Sequence, residues 1–196
     1  MSTPAHGTRG RPRLEQTNQR IVQAAVELLR ESGPVAVNID SVAARSGVAR
    51  TTIYRRYRSR AELMTAVLDE LVETPLPAPE LSVAEKVRWV LERVRDVLDD
   101  GLGRGGVAAV LADSDPEFTR ALRTRIADQL QPLTDMITAD IEAGRLAAHV
   151  DPDTLVGLLF GAYLAEVLRY GSPRADWTDR NAELLIIAIT PARPAS

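Results

Sequence analysis

The sequence predicts an all-α protein: an N-terminal three-helix head containing a helix-turn-helix, then a C-terminal helical bundle. Three observations carry this expectation. Between Asn38 and Leu63, apolar residues fall at helical steps on either side of a Gly, the pattern of two short helices joined by a tight turn. Helix-start signatures recur further on, as Ser59-x-x-Glu62, Ser82-x-x-Glu85, Asp115-Pro116 and Asp151-Pro152. Each offers a side-chain acceptor to free backbone N–H groups, the last two with Pro at the first helical position. Charge is also divided by position. Residues 1–60 carry 11 Arg and 4 acidic residues, a balance of +7, and the remainder carries 13 basic and 23 acidic residues, a balance of −10. A basic module followed by an acidic one points to a nucleic-acid-binding head and a second domain with another task.

Composition narrows the function further. At 196 residues the chain can bury a sizeable core. It has no Cys, which excludes disulfides, thiolate zinc sites and a Cys nucleophile. The two histidines are His6, near the N-terminus, and His149, just before Asp151-Pro152. Neither belongs to a His pair or to a Ser/His/Asp set, so no enzyme activity, metal or cofactor is expected. No N-terminal apolar segment resembles a signal peptide, and the expectation is a cytoplasmic protein without a membrane partner.

Residues 1–13 are read as a disordered basic arm. Met1 to Thr8 is small and polar, and Arg9-Gly10-Arg11-Pro12-Arg13 comes after it. Arginines flanking Gly and Pro suit an extended backbone in a narrow minor groove, with Arg9, Arg11 and Arg13 as the contacts. A solvated tail that adds only counterion release is the alternative. Residues 14–60 are read as the helix-turn-helix domain. Its first helix is expected from about Leu14 to Glu31, burying Ile21, Ala25, Leu28 and Leu29, and Ser32-Gly33-Pro34 ends it. Asn38 is placed to cap a second helix whose inner face is Ile39, Val42 and Ala43. Gly47 suits the left-handed turn after it. From Val48 a third helix keeps Ile53 and Tyr57 inward and leaves Arg50, Thr51, Thr52, Arg55 and Arg56 outside. Guanidinium donors and small hydroxyls match the base edges and phosphates of double-stranded DNA. Base contacts are expected from Arg50, Thr51 and Arg55, and phosphate contacts from Asn38, Thr52, Tyr54, Arg56 and Arg60.

Residues 61–196 are read as a ligand-binding and dimerisation domain. The helix that starts at Ser59 carries Leu63, Val67 and Leu71 inward, and Pro75, Pro77 and Pro79 mark a connection after it. From Ser82 a helix aligns Val87, Val90, Leu91, Val94, Val97 and Leu98. Gly101-Leu-Gly103-Arg-Gly105-Gly106 spells the dinucleotide fingerprint, but that motif needs a strand before it. Helix precedes it here, so the string is read as a flexible turn, with a short helix after it from Val107 to Ala112. A long helix opens at Asp115-Pro116, with Pro132 expected to kink it, and Gly144 closes it. After Asp151-Pro152, Leu155 to Ala165 has no polar side chain apart from the Tyr163 hydroxyl. Eleven such residues are too few to span a bilayer. The last helix, from about Asp176, holds Leu184, Leu185, Ile186, Ile187 and Ile189. Helices this apolar need cover on every side. A dimer interface through Leu159 and Ile186, with Gly157 and Gly161 permitting close approach, is one solution; a thick monomeric core is the other.

The stretch Gly47, Val48, Thr52, Ile53, Tyr54, Tyr57, Ser59, Arg60, Glu62 and Leu63 resembles the DNA-binding domain of the TetR family of bacterial transcriptional regulators. Asn38 stands where the family has Thr, Ser46 where it has Ala, Tyr57 where it has Phe, and Arg60 where it has Lys; each keeps size or chemical role. The run from Gly144 through Val150-Asp-Pro-Asp to Gly161 is similar to ligand-binding domains of AcrR-type members. The resemblance implies a homodimer on a palindromic operator, acting as a repressor released by a small molecule. A pocket lined by Trp89, Arg93, Val94, Phe118, Leu122, Met136, Phe160 and Tyr163 is expected for a mainly apolar effector, and each of these residues also suits plain core. Arg93, close to the apolar stripe of its helix, calls for a protein carboxylate or an acidic ligand. A regulator with a filled core, answering a protein partner or no ligand, is the alternative.

Overall fold

The computed structural model describes residues 11–72 and 75–191, with side chains from Glu15 onward except at Val72. These residues form helices and turns with no strand among them, and none of the helices is long and apolar enough to cross a membrane. The chain divides into two compact units. One holds the chain up to Val72 together with Gly101–Arg123; the other holds residues 73–100 together with the chain from Thr124. The unit containing the helix-turn-helix therefore extends well beyond residue 60.

The first unit is organised around α1 (Arg11–Ser32). Its stripe of Ile21, Ala25, Leu28 and Leu29 is buried, as the spacing predicts. The helix already includes Arg11, three residues before its expected start. Pro12 permits this, because a first-turn N–H has no intrahelical acceptor to lose. Arg11 and Arg13 thus belong to a helix rather than to an extended arm, and Arg9 lies outside the described residues. A 3-10 turn, Pro34–Ala36, leads to α2 (Ile39–Ser46). Asn38 caps α2 through Oδ1, which accepts from the Ser41 N–H at 2.9 Å, and Gly47 ends it at φ 66°. The next helix, α3 (Arg50–Arg56), starts two residues later than the spacing suggests. The Val48 N–H donates instead to the Ser46 hydroxyl (3.2 Å), which keeps Val48 in the turn.

After it, α4 (Arg60–Val72) buries Leu63, Met64, Val67 and Leu68. Its capping box is half the expected one: Ser59 Oγ accepts from the Glu62 N–H (3.2 Å), but the Glu62 carboxylate takes the Arg58 N–H (2.7 Å). The glycine string is not a flexible turn. A π-helical turn, Val97–Leu102, runs straight into α6 (Gly103–Ala112), which packs on α1. Gly105 gives the reason. A Cβ there would stand 2.5 Å from the Gly33 nitrogen and 2.6 Å from the Leu29 carbonyl oxygen, so a side chain is excluded by backbone. The first turns of α7 (Pro116–Glu142) complete this unit, with Phe118 and Leu122 buried.

The second unit holds α5 (Val83–Asp96), the rest of α7, α8 (Pro152–Tyr170) and α9 (Trp177–Ile189). Ser82 and Glu85 make the full reciprocal box at α5. Asp151 caps α8, accepting from the Thr154 N–H at 2.8 Å. Both α8 and α9 pack on α5, and α7 runs on through Pro132. Tyr163 meets Trp177 edge-on at 5.8 Å, and its hydroxyl donates to the Asp99 carboxylate. Buried Glu166 accepts from Arg174 (2.7 Å) and Arg180 (3.1 Å), tying α8 to α9 and to the turn between them.

The outer faces of α8 and α9 differ from expectation. Leu159 is buried in the chain's own core and Ile186 is half-buried, so neither is the free apolar surface expected of them. Exposed aliphatic side chains on these helices include Leu158 (57%), Leu168 (86%), Leu184 (70%) and Ile187 (79%). A helix that is apolar all round has no phase to read, and the spacing misplaces the outer face by one residue.

Candidate nucleic-acid interface

Ile53 is fully buried beneath α3, and Val48 and Tyr57 are buried at its two ends. The opposite side of the helix consequently faces outward. Arg50, Thr51, Tyr54 and Arg55 are exposed, and Thr52 and Arg56 are half-buried. Arg50 and Thr51 lie in the first turn, the part of a recognition helix that reaches base edges. Arg50 also meets Asp40 at 3.0 Å with both side chains open to solvent. Such a pair is weak and easily exchanged for a base edge or phosphate.

The helix-turn-helix is fixed to α1 by polar contacts as well as by its core. The Tyr57 hydroxyl donates to Asn18 Oδ1 at 2.7 Å. Burial raises the phenol's pKa against the opposing influence of that bond, so Tyr57 stays protonated as a donor. Arg20 Nη2 donates to the Ser46 carbonyl at 2.6 Å, and Arg45 of α2 pairs with Glu31 (2.7 Å) and Glu27 (3.3 Å) of α1. A recognition helix held this way keeps its donors in register, which base reading requires.

Arg60 departs from the expected set. The sequence places it on a phosphate, but its guanidinium is engaged within the unit. Nε donates to the Val37 carbonyl (3.0 Å), and Nη2 donates to the Pro34 carbonyl (2.6 Å) and to Asp115 Oδ2 (2.6 Å). Asp115 uses its other oxygen to cap α7, accepting from the Phe118 N–H at 3.0 Å. Desolvation, which raises the Asp115 pKa, is the largest single influence. The Phe118 N–H and Arg60 together outweigh it and hold the carboxyl below its ordinary value. Asn38 also spends its oxygen on the cap, and its amide nitrogen lies 3.4 Å from the Ala36 carbonyl. Arg58, which the spacing does not single out, is an exposed cation in the turn between α3 and α4.

Residues 21–67 match the family model described as bacterial regulatory proteins, tetR family. Residues 78–185 match that of the tetracyclin repressor-like C-terminal domain. The chain belongs to the TetR family. It shares 30% identity over 176 residues with the uncharacterized HTH-type transcriptional regulator YdeS of Bacillus subtilis, across 83% of this chain and 84% of YdeS. It shares 30% identity over 140 residues with the HTH-type transcriptional repressor Rv3405c of Mycobacterium tuberculosis, across 69% and 68%. The crystal structure of the multidrug binding protein EbrR complexed with imidazole has the same fold, with a TM-score of 0.59 at 22% identity and both chains covered in full. As a TetR-family member the protein is a DNA-binding transcriptional regulator with a helix-turn-helix, the work of this family rather than enzyme catalysis.

The C-terminal unit of this TetR-family protein contains a cavity of about 40 Å³ bordered by α5, α7, α8 and α9. Met136 is the one residue of the expected pocket that lines it. Trp89, Arg93, Val94, Phe160 and Tyr163 belong to the same unit but not to this wall, and Phe118 and Leu122 are buried in the other unit. The expected set is therefore not gathered on this wall. Arg93 finds its carboxylate on its own helix, at Asp96 (3.0 Å). The cavity wall is aliphatic or thioether except for Lys86 and Asp140. Lys86 Nζ lies 3.0 Å from Asp140 Oδ2, and Arg145 Nη2 lies 2.6 Å from Oδ1. Desolvation again is the largest influence on the Asp140 pKa and raises it, but Lys86 and Arg145 together prevail and lower it.

Proposed function

We propose that this regulator is a repressor that binds a palindromic operator as a homodimer through α3 and is released by a small molecule. The observation that carries the DNA half is the outward Arg and Thr face of α3, held on a head by buried contacts. Reading two half-sites needs a second copy of the chain. Surface suited to one is present on α8, where Gly157, Leu158, Gly161, Ala165 and Leu168 are exposed, and on α9, where Leu184, Ile187 and Ala188 are exposed. A Cβ at Gly157 or Gly161 would meet nothing within 4 Å, which leaves room for another helix to approach. The repressor named Rv3405c and the ligand-holding EbrR support the remaining parts of the reading.

The cavity volume favours a second reading. Small-molecule sites enclose about 300–1,000 Å³, far above the 40 Å³ of this cavity. A filled C-terminal unit would make the protein a regulator that answers a protein partner or no ligand. Selection of bound genomic fragments, then footprinting, tests the DNA half: a two-fold symmetric site with half-sites about 10 base pairs apart is expected. An asymmetric footprint occupied by one chain would overturn the dimeric reading. Thermal-shift screening of small molecules, then operator release by the hits, separates the two readings of the C-terminal unit.

A further inference from the structure

The Lys86–Asp140 pair is an expensive object to place in an aliphatic wall. Both side chains are almost wholly buried, at 9% and 4% exposure. Replacing such a pair with apolar residues is commonly neutral or favourable for stability, so its presence at a cavity asks for another role. Its charge is also unbalanced. Lys86 and Arg145 bring two positive charges to one carboxylate, while the rest of the cavity wall, including Val87, Val90, Leu133, Ile137, Leu155 and Leu159, brings none.

The two cations are not equivalent. Arg145 is 55% exposed and reaches Asp140 from solvent, whereas Lys86 is on the wall of the cavity. If Lys86 turns to another anion, Arg145 still neutralises Asp140. If a cationic guest displaces Lys86 from Asp140, the ammonium is left unpaired among aliphatic side chains, which is strongly unfavourable. Resting on the reading that the C-terminal unit takes a small molecule, we infer that its effector is a monoanionic amphiphile. Its carboxylate-like head takes Lys86 from Asp140, and its aliphatic body widens the 40 Å³ cavity between α5, α7, α8 and α9. One added negative charge brings the cluster to neutrality, and the guest's apolar body matches the wall.

The test is calorimetry on the full-length protein with octanoate, 1-octanol and octylammonium, which share one chain and differ in head charge. Octanoate is expected to bind about tenfold or more tightly than either, the order that a charge-assisted hydrogen bond supplies. Lys86→Met should abolish that preference. Because Lys86→Met can also disturb folding, checked by circular dichroism, Asp140→Asn provides an independent arm. It removes the competitor for Lys86, so octanoate affinity should rise several-fold while thermal stability falls. A purely structural pair would lower both. Equal binding of octanol or octylammonium, or a fall of octanoate affinity in Asp140→Asn, overturns the anionic assignment and leaves the ligand-responsive reading standing. Failure of all three probes to bind overturns the assignment and counts against that reading as well.

Discussion

Arg60, at the first turn of α4, and Asp115, at the cap of α7, are joined through a 2.6 Å ion pair across 55 positions of sequence. The same guanidinium holds the Pro34 and Val37 carbonyls in the segment before α2. One side chain therefore gathers the start of the helix-turn-helix, the start of α4 and the start of α7. Asp115 answers with one oxygen for Arg60 and the other for the Phe118 N–H. What looks in sequence like one more arginine of a basic head is a strut inside it.

Arg60→Ala should accordingly destabilise the protein by about 2–3 kcal/mol, the scale for losing hydrogen bonds to a charged group and leaving their partners unpaired. Arg60→Lys should fall between, since an ammonium lacks the fork that serves three oxygens at once. Urea denaturation measures both. A phosphate contact would behave differently, because its loss lowers the salt dependence of DNA binding by about 0.9 in log–log slope. The slope for Arg60→Ala is expected to match the wild type.

On α3, Arg50→Ala and Arg55→Ala should each relax specificity at one base pair per half-site, at about 1–3 kcal/mol. Arg58→Ala and Arg56→Ala should weaken all sequences alike and reduce the salt slope. A randomised-operator selection with each variant, repeated at two salt concentrations, separates the classes. Removing residues 1–10 keeps every described residue of α1 and tests the minor-groove arm: larger losses on A·T-flanked operators are expected. Equal losses on G·C flanks would make it a nonspecific tail.

The head is legible because its signals are local. Asn38 and Gly47 act within a few residues of the chain, and the inward positions of Ile53 and Tyr57 follow from helical spacing. The features that escape are non-local. Arg60 reads as a surface cation until Asp115 is known to lie beside it, and Gly105 reads as a loop residue until α1 is packed on α6. Lys86 stands beside Val87 of the apolar stripe, and the carboxylate that pairs with it is 54 positions away. The π-helical turn at Val97–Leu102 breaks the α-helical period, so no single helical period carries through to the glycine string.

Asp115, Asp140 and Glu166 all have pKa values below the ordinary carboxylate range. For Glu166 the leading cause is the hydrogen bond from Arg174. A carboxyl whose pKa is lower folded than unfolded stabilises the fold fully above its unfolded value, near 4. That contribution is lost as pH falls through the unfolded value and into the folded one. Thermal stability attributable to these groups should therefore be flat from pH 7 to 5 and decline below about pH 4. Asp140→Asn should start lower at pH 7 and fall less steeply in acid. A Tm series from pH 7 to 2.5 reads both; equally steep declines would remove Asp140 from the account.

Dimerisation can be tested by contrasting neighbours on the same helices. Leu184 and Ile187 of α9 stand in solvent in the single chain, while Leu159 of α8 is buried within it. If the exposed face is where a second copy docks, Leu184→Asp and Ile187→Asp should cost the isolated fold little. They should nevertheless split the dimer, because each places a charge in a surface that assembly would dry. Leu159→Asp should unfold the C-terminal unit instead. Gly161→Leu is a steric version of the same test: the new side chain has open space in one chain but would block a partner helix. Each dissociating variant should also lose operator affinity, since a tethered second head binds at an effective concentration that a free monomer lacks. Sedimentation velocity at micromolar concentration, with circular dichroism to confirm folding, decides the matter. A wild type that sediments as a monomer, or a Leu184→Asp/Ile187→Asp double variant that remains dimeric, would remove this face from the interface.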